Sequence, residues 1–122
     1  MKKHRNNGKM LEVLVKQIHD GLAGPNTEVT HSEKFYDEEN ELSGEVDVTI
    51  KDLNSGSISG VECRDRPSDG AQERAWIRTI FGAMEDLGLG EMTAVSTTGF
   101  TAGAKKAAHK LKINLVDRRA HV

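Results

Sequence analysis

Residues 44–65 read GEVDVTIKDLNSGSISGVECRD, and the way this stretch folds decides what the rest of the chain is built around. Val46, Val48 and Ile50 alternate with Asp47, Thr49 and Lys51, the period-two pattern of a half-buried strand. Asn54, Ser55 and Gly56 supply a tight turn, and residues 57–65 (SISGVECRD) return as the partner strand. Val46, Val48 and Ile50 are expected on one face of this hairpin, and Asp47, Thr49 and Lys51 on the other. With the turn centred near Ser55, residues whose numbers sum to about 109–111 face one another. Asp47 then lies opposite Glu62 or one position either side. Both carboxylates share a sheet face, because Val61 and Cys63 alternate with Glu62. Arg64, two residues further on, points to the same side.

Outward from the hairpin the pattern alternates between helix and strand. Upstream, Met10, Leu11, Leu14, Ile18 and Leu22 fall at helical spacing, so residues 10–22 are expected to form an amphipathic helix stopped by the glycines and Pro25 of GLAGP. Residues 27–35 read as a strand and the acidic 37–41 as a loop. Downstream, Ile77, Ile80, Phe81, Met84 and Leu87 make the buried stripe of a helix over 71–87, which Gly88 ends. Residues 92–96 (MTAVS) form a short buried strand, 97–99 a turn, 101–111 an Ala- and Lys-rich helix and 113–116 (INLV) a last strand. The later strand–helix–strand–helix–strand run favours an α/β architecture with parallel strands and helices on both faces of the sheet.

Composition narrows the function classes. The chain has 122 residues, 36% hydrophobic and 30% charged, with a mean hydropathy of −0.55; this fits one globular domain over 10–122. No apolar run approaches the ~20 residues that span a bilayer, so no membrane is expected. The single Cys63 forbids a disulfide framework, and no Cys/His spacing suits zinc, which fits a reducing, cytoplasmic location. Residues 1–9 (MKKHRNNGK) read as a flexible basic arm rather than a signal peptide, since Glu12 and Lys16 break the apolar stretch that follows. The net charge of −2 hides an asymmetry: residues 28–52 hold nine acidic and two basic side chains, whereas 53–122 hold ten basic and eight acidic. Bulk charge therefore does not announce a duplex-binding domain, but a cation held by clustered carboxylates reverses the local sign.

Two neighbouring acids on a central hairpin repel in a partly buried setting. Protonation, a basic neighbour or a divalent cation relieves the repulsion. An acid on one strand followed by Glu-x-basic on the next is also the layout that metal-dependent phosphodiester hydrolysis requires. The carboxylates hold Mg2+ or Mn2+ through oxygen, the Cys63 carbonyl adds a ligand, and the basic side chain steadies the developing charge. Cross-strand charge pairing on an exposed sheet face explains the same residues without any chemistry.

The order helix, three strands carrying Asp47 and Glu62-Cys63-Arg64, helix, strand resembles the PD-(D/E)XK nuclease superfamily. The phrases MLEVLV, VECRDR, QERAWI and AVSTTGFTAGAKKAA resemble its restriction-endonuclease-like, Mrr-type branch over roughly residues 11–116. The resemblance implies an αβββαβ core, a mixed central sheet flanked by helices, with an extra C-terminal helix and strand. It implies a Mg2+- or Mn2+-dependent endonuclease that hydrolyses DNA and needs no organic cofactor. Asp47 and Glu62 would ligate the metal, Cys63 through its carbonyl, and Glu12 would reach the site from the first helix. Gln72 would contact the site, and Arg64 would stand at the motif lysine. Arg binds phosphoryl oxygens well but stays protonated and is no proton acceptor. Arg74 and Arg78 are the nearest replacements for that lysine. Arg74, Arg78, Lys105 and Lys106 are expected to meet the DNA backbone, with Lys110 and Lys112 nearby. One site per chain implies a homodimer for double-strand cutting. A Holliday-junction resolvase-like enzyme and a non-catalytic nucleic-acid- or protein-binding module on the same scaffold are the competing readings.

The remaining polar residues carry less. The five histidines have neither ligand nor triad spacing. Ser96 and Thr98 read as strand-end and cap residues. Gly99 and Gly103 serve a turn and close packing or bring a helix N-terminus to a phosphate. Trp76, offset from the apolar stripe, is expected at the core edge or an interface rather than under a base.

Overall fold

The hairpin forms the centre of a five-stranded mixed sheet in the computed structural model, which describes residues 16, 25–65, 68 and 70–119. Its strands are β1 (Thr27–Tyr36), β2 (Leu42–Asp52), β3 (Ile58–Arg64), β4 (Glu91–Ser96) and β5 (Asn114–Asp117), lying side by side in that order. The pairs β1–β2 and β2–β3 are antiparallel, and the pairs β3–β4 and β4–β5 are parallel. Helix α1 (Arg74–Leu87) joins β3 to β4, and α2 (Ala102–Leu111) joins β4 to β5, the crossovers that parallel pairing demands. The helix expected over 10–22, with Glu12, and the arm at 1–9 lie outside the described residues.

The two helices share one core. Trp76, Ile77 and Ile80 of α1 and Ala104 and Ala108 of α2 pack with Val46, Met92, Ala94, Phe100 and Ile113. Gly60 permits the close fit here: a Cβ at that position would come within 2.5 Å of the Met92 sulfur. A second cluster gathers Val48, Val61 and Val95, with Val29, Ile50, Cys63 and Val116 against it. Val46 and Val48 thus enter different clusters, which corrects the expectation of one shared face. The alternation resets at Asp47, where β1 is also irregular. Ser32, between the pairs His31↔Val48 and Glu33↔Val46, adopts the left-handed φ of +51°.

The boundaries follow local chemistry. α1 begins at Arg74 rather than 71, because Gln72 is held as extended chain. Its N–H donates to the Gly99 carbonyl (2.9 Å), and its carbonyl accepts from the Thr101 N–H (2.9 Å). Gly88 closes α1 in the left-handed conformation, at φ +70°. Thr101 caps α2, its side chain accepting from the Ala104 N–H at 3.1 Å.

Candidate active site

The antiparallel register of β2 and β3 runs from Lys51↔Ile58 to Val48↔Val61, residue numbers that sum to the expected value. One step further, side chains replace the ladder. The Asp47 N–H donates to Glu62 Oε2 at 3.1 Å, and the Cys63 N–H donates to Asp47 Oδ2 at 2.9 Å. Each carboxylate is thereby tied to the backbone of the opposite strand. Both line one cavity of about 390 Å³, walled by Glu45, Cys63, Arg64 and Asp65 on the sheet side and by Trp76, Thr79, Ile80 and Ala83 of α1.

Burial sets the electrostatics. Glu62 is pushed from 4.5 to about 7, first by desolvation and then by the charge of Asp47; its bond from the Asp47 N–H and the Arg64 guanidinium oppose the shift. Asp47 is also raised, by desolvation foremost, against the bond from Cys63 and with the charge of Glu45 adding to the rise. The Cys63 thiol is raised by burial and by both acids, which keeps it neutral. Two carboxylates held in this state gain from an added cation, and their oxygens suit a hard divalent one. Among the described residues no group of three or more His, Cys, Asp or Glu side chains is arranged for a metal. Any such ion would take its protein carboxylates from Asp47 and Glu62, with Glu12 outside the described residues.

Among the described residues, Gln72 and Trp76 help to position Arg64. Its Nη1 donates to Gln72 Oε1 at 3.1 Å, and its guanidinium carbon lies 4.9 Å from the centroid of the Trp76 ring. Gln72 is only 4% exposed and Trp76 6%. Trp76 in turn stacks on Phe100, with centroids 6.2 Å apart and planes within 7°. So Trp76 belongs to the core edge, as expected, and is too buried to stack on a base.

Other candidates separate. Arg74 and Arg78 lie on a different face of α1 from Trp76, Thr79 and Ile80, in a groove shared with Lys106 and Lys110 of α2. They therefore do not stand in for the motif lysine at the carboxylates. Lys105 sits apart from that groove, where its charge acts on Asp117. Gly103 meets the Arg74 guanidinium and Gly99 meets Arg119, so side chains cover both glycines. Ser96 is buried and pairs with Thr98, as a strand-end residue does. Glu45 escaped the sequence reading, although its place two residues before Asp47 was the available signal. The roles of Phe100 and Thr79 had no such signal.

Several solved structures share the fold. The protein of unknown function AF1548 superposes with a TM-score of 0.67 at 20% identity, over 89% of this chain and 55% of that one. VC1899 from Vibrio cholerae gives 0.65 at 19%, over 88% and 28% respectively. EndoMS in apo form gives 0.53 at 16%, over 91% and 47%. The chain thus spans about half or less of each of these proteins, and at such identities the likeness is one of fold. No curated protein matches it in sequence. The family model Mrr_cat, described as "Restriction endonuclease", matches residues 6–121, and by that match the chain belongs to the Mrr_cat restriction endonuclease family.

Proposed function

We propose that the protein is a divalent-metal-dependent DNA endonuclease whose site is built on Asp47, Glu62 and Arg64. The observation that carries this reading is the crossed pair of bonds from the Asp47 and Cys63 N–H groups to the two carboxylates, which gathers two partly buried acids in one cavity. Mg2+ or Mn2+, when bound, polarises the phosphate and acidifies the attacking water. Asp47 and Glu62 hold the ion, with the Cys63 carbonyl and Glu12 as the further ligands the family implies. The guanidinium of Arg64 stabilises charge that builds on the phosphoryl oxygens. Being permanently protonated, it takes no proton from water, so its role is electrostatic. Gln72 orients it through the 3.1 Å bond.

The groove of Arg74, Arg78, Lys106 and Lys110 offers four cations to a DNA backbone, while Lys105 faces elsewhere. The family supports DNA as the substrate. Cutting both strands with one site per chain requires two copies, and we propose a homodimer for that task. No helix among the described residues is long and apolar enough to cross a membrane.

Supercoiled plasmid incubated with Mn2+ tests the proposal. The wild type converts it to nicked and linear forms. Asp47→Ala is at least ~100-fold slower, since removing a metal ligand exceeds the 10–100-fold typical of outer partners. Equal rates for the two proteins would sink the nuclease reading.

A further inference from the structure

We infer that Trp76 is a positioning residue for Arg64, and that its indole adapts this site to an arginine where the related motif carries a lysine. The inference rests on the nuclease reading above and adds to it a residue that acts through Arg64. The indole is buried and stacked on Phe100, so it presents a fixed face. The guanidinium carbon lies 4.9 Å over that face, inside the ~6 Å range of cation–π attraction. The Gln72 carbonyl oxygen accepts from Nη1 and fixes the guanidinium from a second direction. The backbone of Gln72 is itself bonded to Gly99 and Thr101 on either side of Phe100, so the Gln72 and Trp76 contacts of Arg64 both rest on the segment joining β4 to α2. A flat, delocalised cation uses this seat fully. A lysine ammonium is compact and strongly hydrated, has no plane to lay on the ring, and reaches only one of these contacts well. The arginine is therefore matched to its surroundings, and exchanging it for lysine is not conservative here.

Two measurements test this. The first is the Arg64 Nε–Hε resonance of the metal-free protein, assigned by its loss in Arg64→Lys. Ring current displaces it upfield from the position of free arginine in the wild type, and Trp76→Leu returns it there. A wild-type resonance already at the free position overturns the inference, whatever the cleavage result. The second is plasmid cleavage with Mn2+. Arg64→Lys and Trp76→Leu each lower kcat roughly 10- to 100-fold, as expected for a displaced reacting group, with KM little changed. The double variant is no slower than Arg64→Lys alone. Full kcat in either single variant, or losses that multiply in the double, overturns the inference. Should Trp76→Leu fail to fold, Trp76→Phe serves: its weaker ring gives a kcat between wild type and Arg64→Lys, and an unchanged kcat counts against the inference. A displaced resonance in a wild type that cuts nothing overturns the nuclease reading instead.

Discussion

Two regions of this chain are rich in carboxylates, and they behave differently. The loop at 37–41 packs Asp37, Glu38, Glu39 and Glu41 into five residues, all exposed. Asp37 there organises its own turn, its Oδ1 accepting from the N–H groups of Glu39 and Glu41, both at 2.9 Å. Asp47 and Glu62 are fifteen residues apart in sequence, yet they share a cavity and bond across strands. Water solvates the charges of the first region and screens their repulsion. In the second, burial raises both acids and makes a cation the natural complement. Density of acids along a sequence is thus a poor guide to a site; a pair brought together by strand register and removed from water is a better one.

The sharpest way to break that comparison is to neutralise each region in turn. Asp47→Asn keeps the shape of the side chain and removes its charge. It is expected to slow plasmid cleavage at least ~100-fold. The double variant Glu38→Gln/Glu39→Gln removes two charges from the loop and leaves the rate within about twofold, as surface changes away from a site do. A loop variant as slow as Asp47→Asn would show that the exposed acids act on the reaction, and the distinction drawn here would fall.

A smaller effect should appear in stability. The folded-state pKa of Glu62, about 7, stands above its ordinary 4.5. An acid raised by folding binds its proton more tightly in the native state, so it lowers stability as pH rises from 4.5 through 7 and withholds the full amount above that. Glutamine is neutral throughout. Without metal, Glu62→Gln is therefore more stable than the wild type at pH 8, by on the order of 1–2 kcal/mol once solvent screening is allowed for. The gain disappears below pH 4.5. Thermal melts at pH 4 and pH 8 read this directly. Added Mn2+ should reverse the order at pH 8, because only the wild type keeps both carboxylates for the ion. A Glu62→Gln melt no higher than the wild type at pH 8 would mean that the pair is not strained by its burial.

Much of this was legible beforehand. The alternation in residues 44–65 places the hairpin, and the position of its turn yields the Asp47–Glu62 juxtaposition without coordinates. Helical stripes and the Gly88 stop place both described helices. What escaped is what depends on non-local contacts. The start of α1 moved because Gln72 is bonded to a segment almost thirty residues away. Val46 left the face of Val48 at a break in alternation that lies opposite the left-handed Ser32 of the neighbouring strand, which the pattern within β2 does not show. That Lys105 falls outside the groove Arg74 and Arg78 share with Lys106 depends on how α1 and α2 meet, which the spacing within either helix does not encode. The stacking of Arg64, Trp76 and Phe100 joins β3, α1 and the link to α2, so no single segment carries its signature.

The mildest test returns to the acidic loop. If Asp37 only shapes its own turn, Asp37→Ala loses two side-chain bonds in water, worth about 0.5–1 kcal/mol in total because solvent replaces both partners. The backbone bonds from the Asp37 N–H to the Glu41 carbonyl and from the Asn40 N–H to the Asp37 carbonyl remain, so the turn persists in a looser form. Cleavage should not change, and the melt should fall by only a few degrees, equally with and without Mn2+. That last equality separates the regions most finely. A loop carboxylate that drew on the bound ion would make the loss depend on metal, whereas a local turn residue destabilises both forms alike.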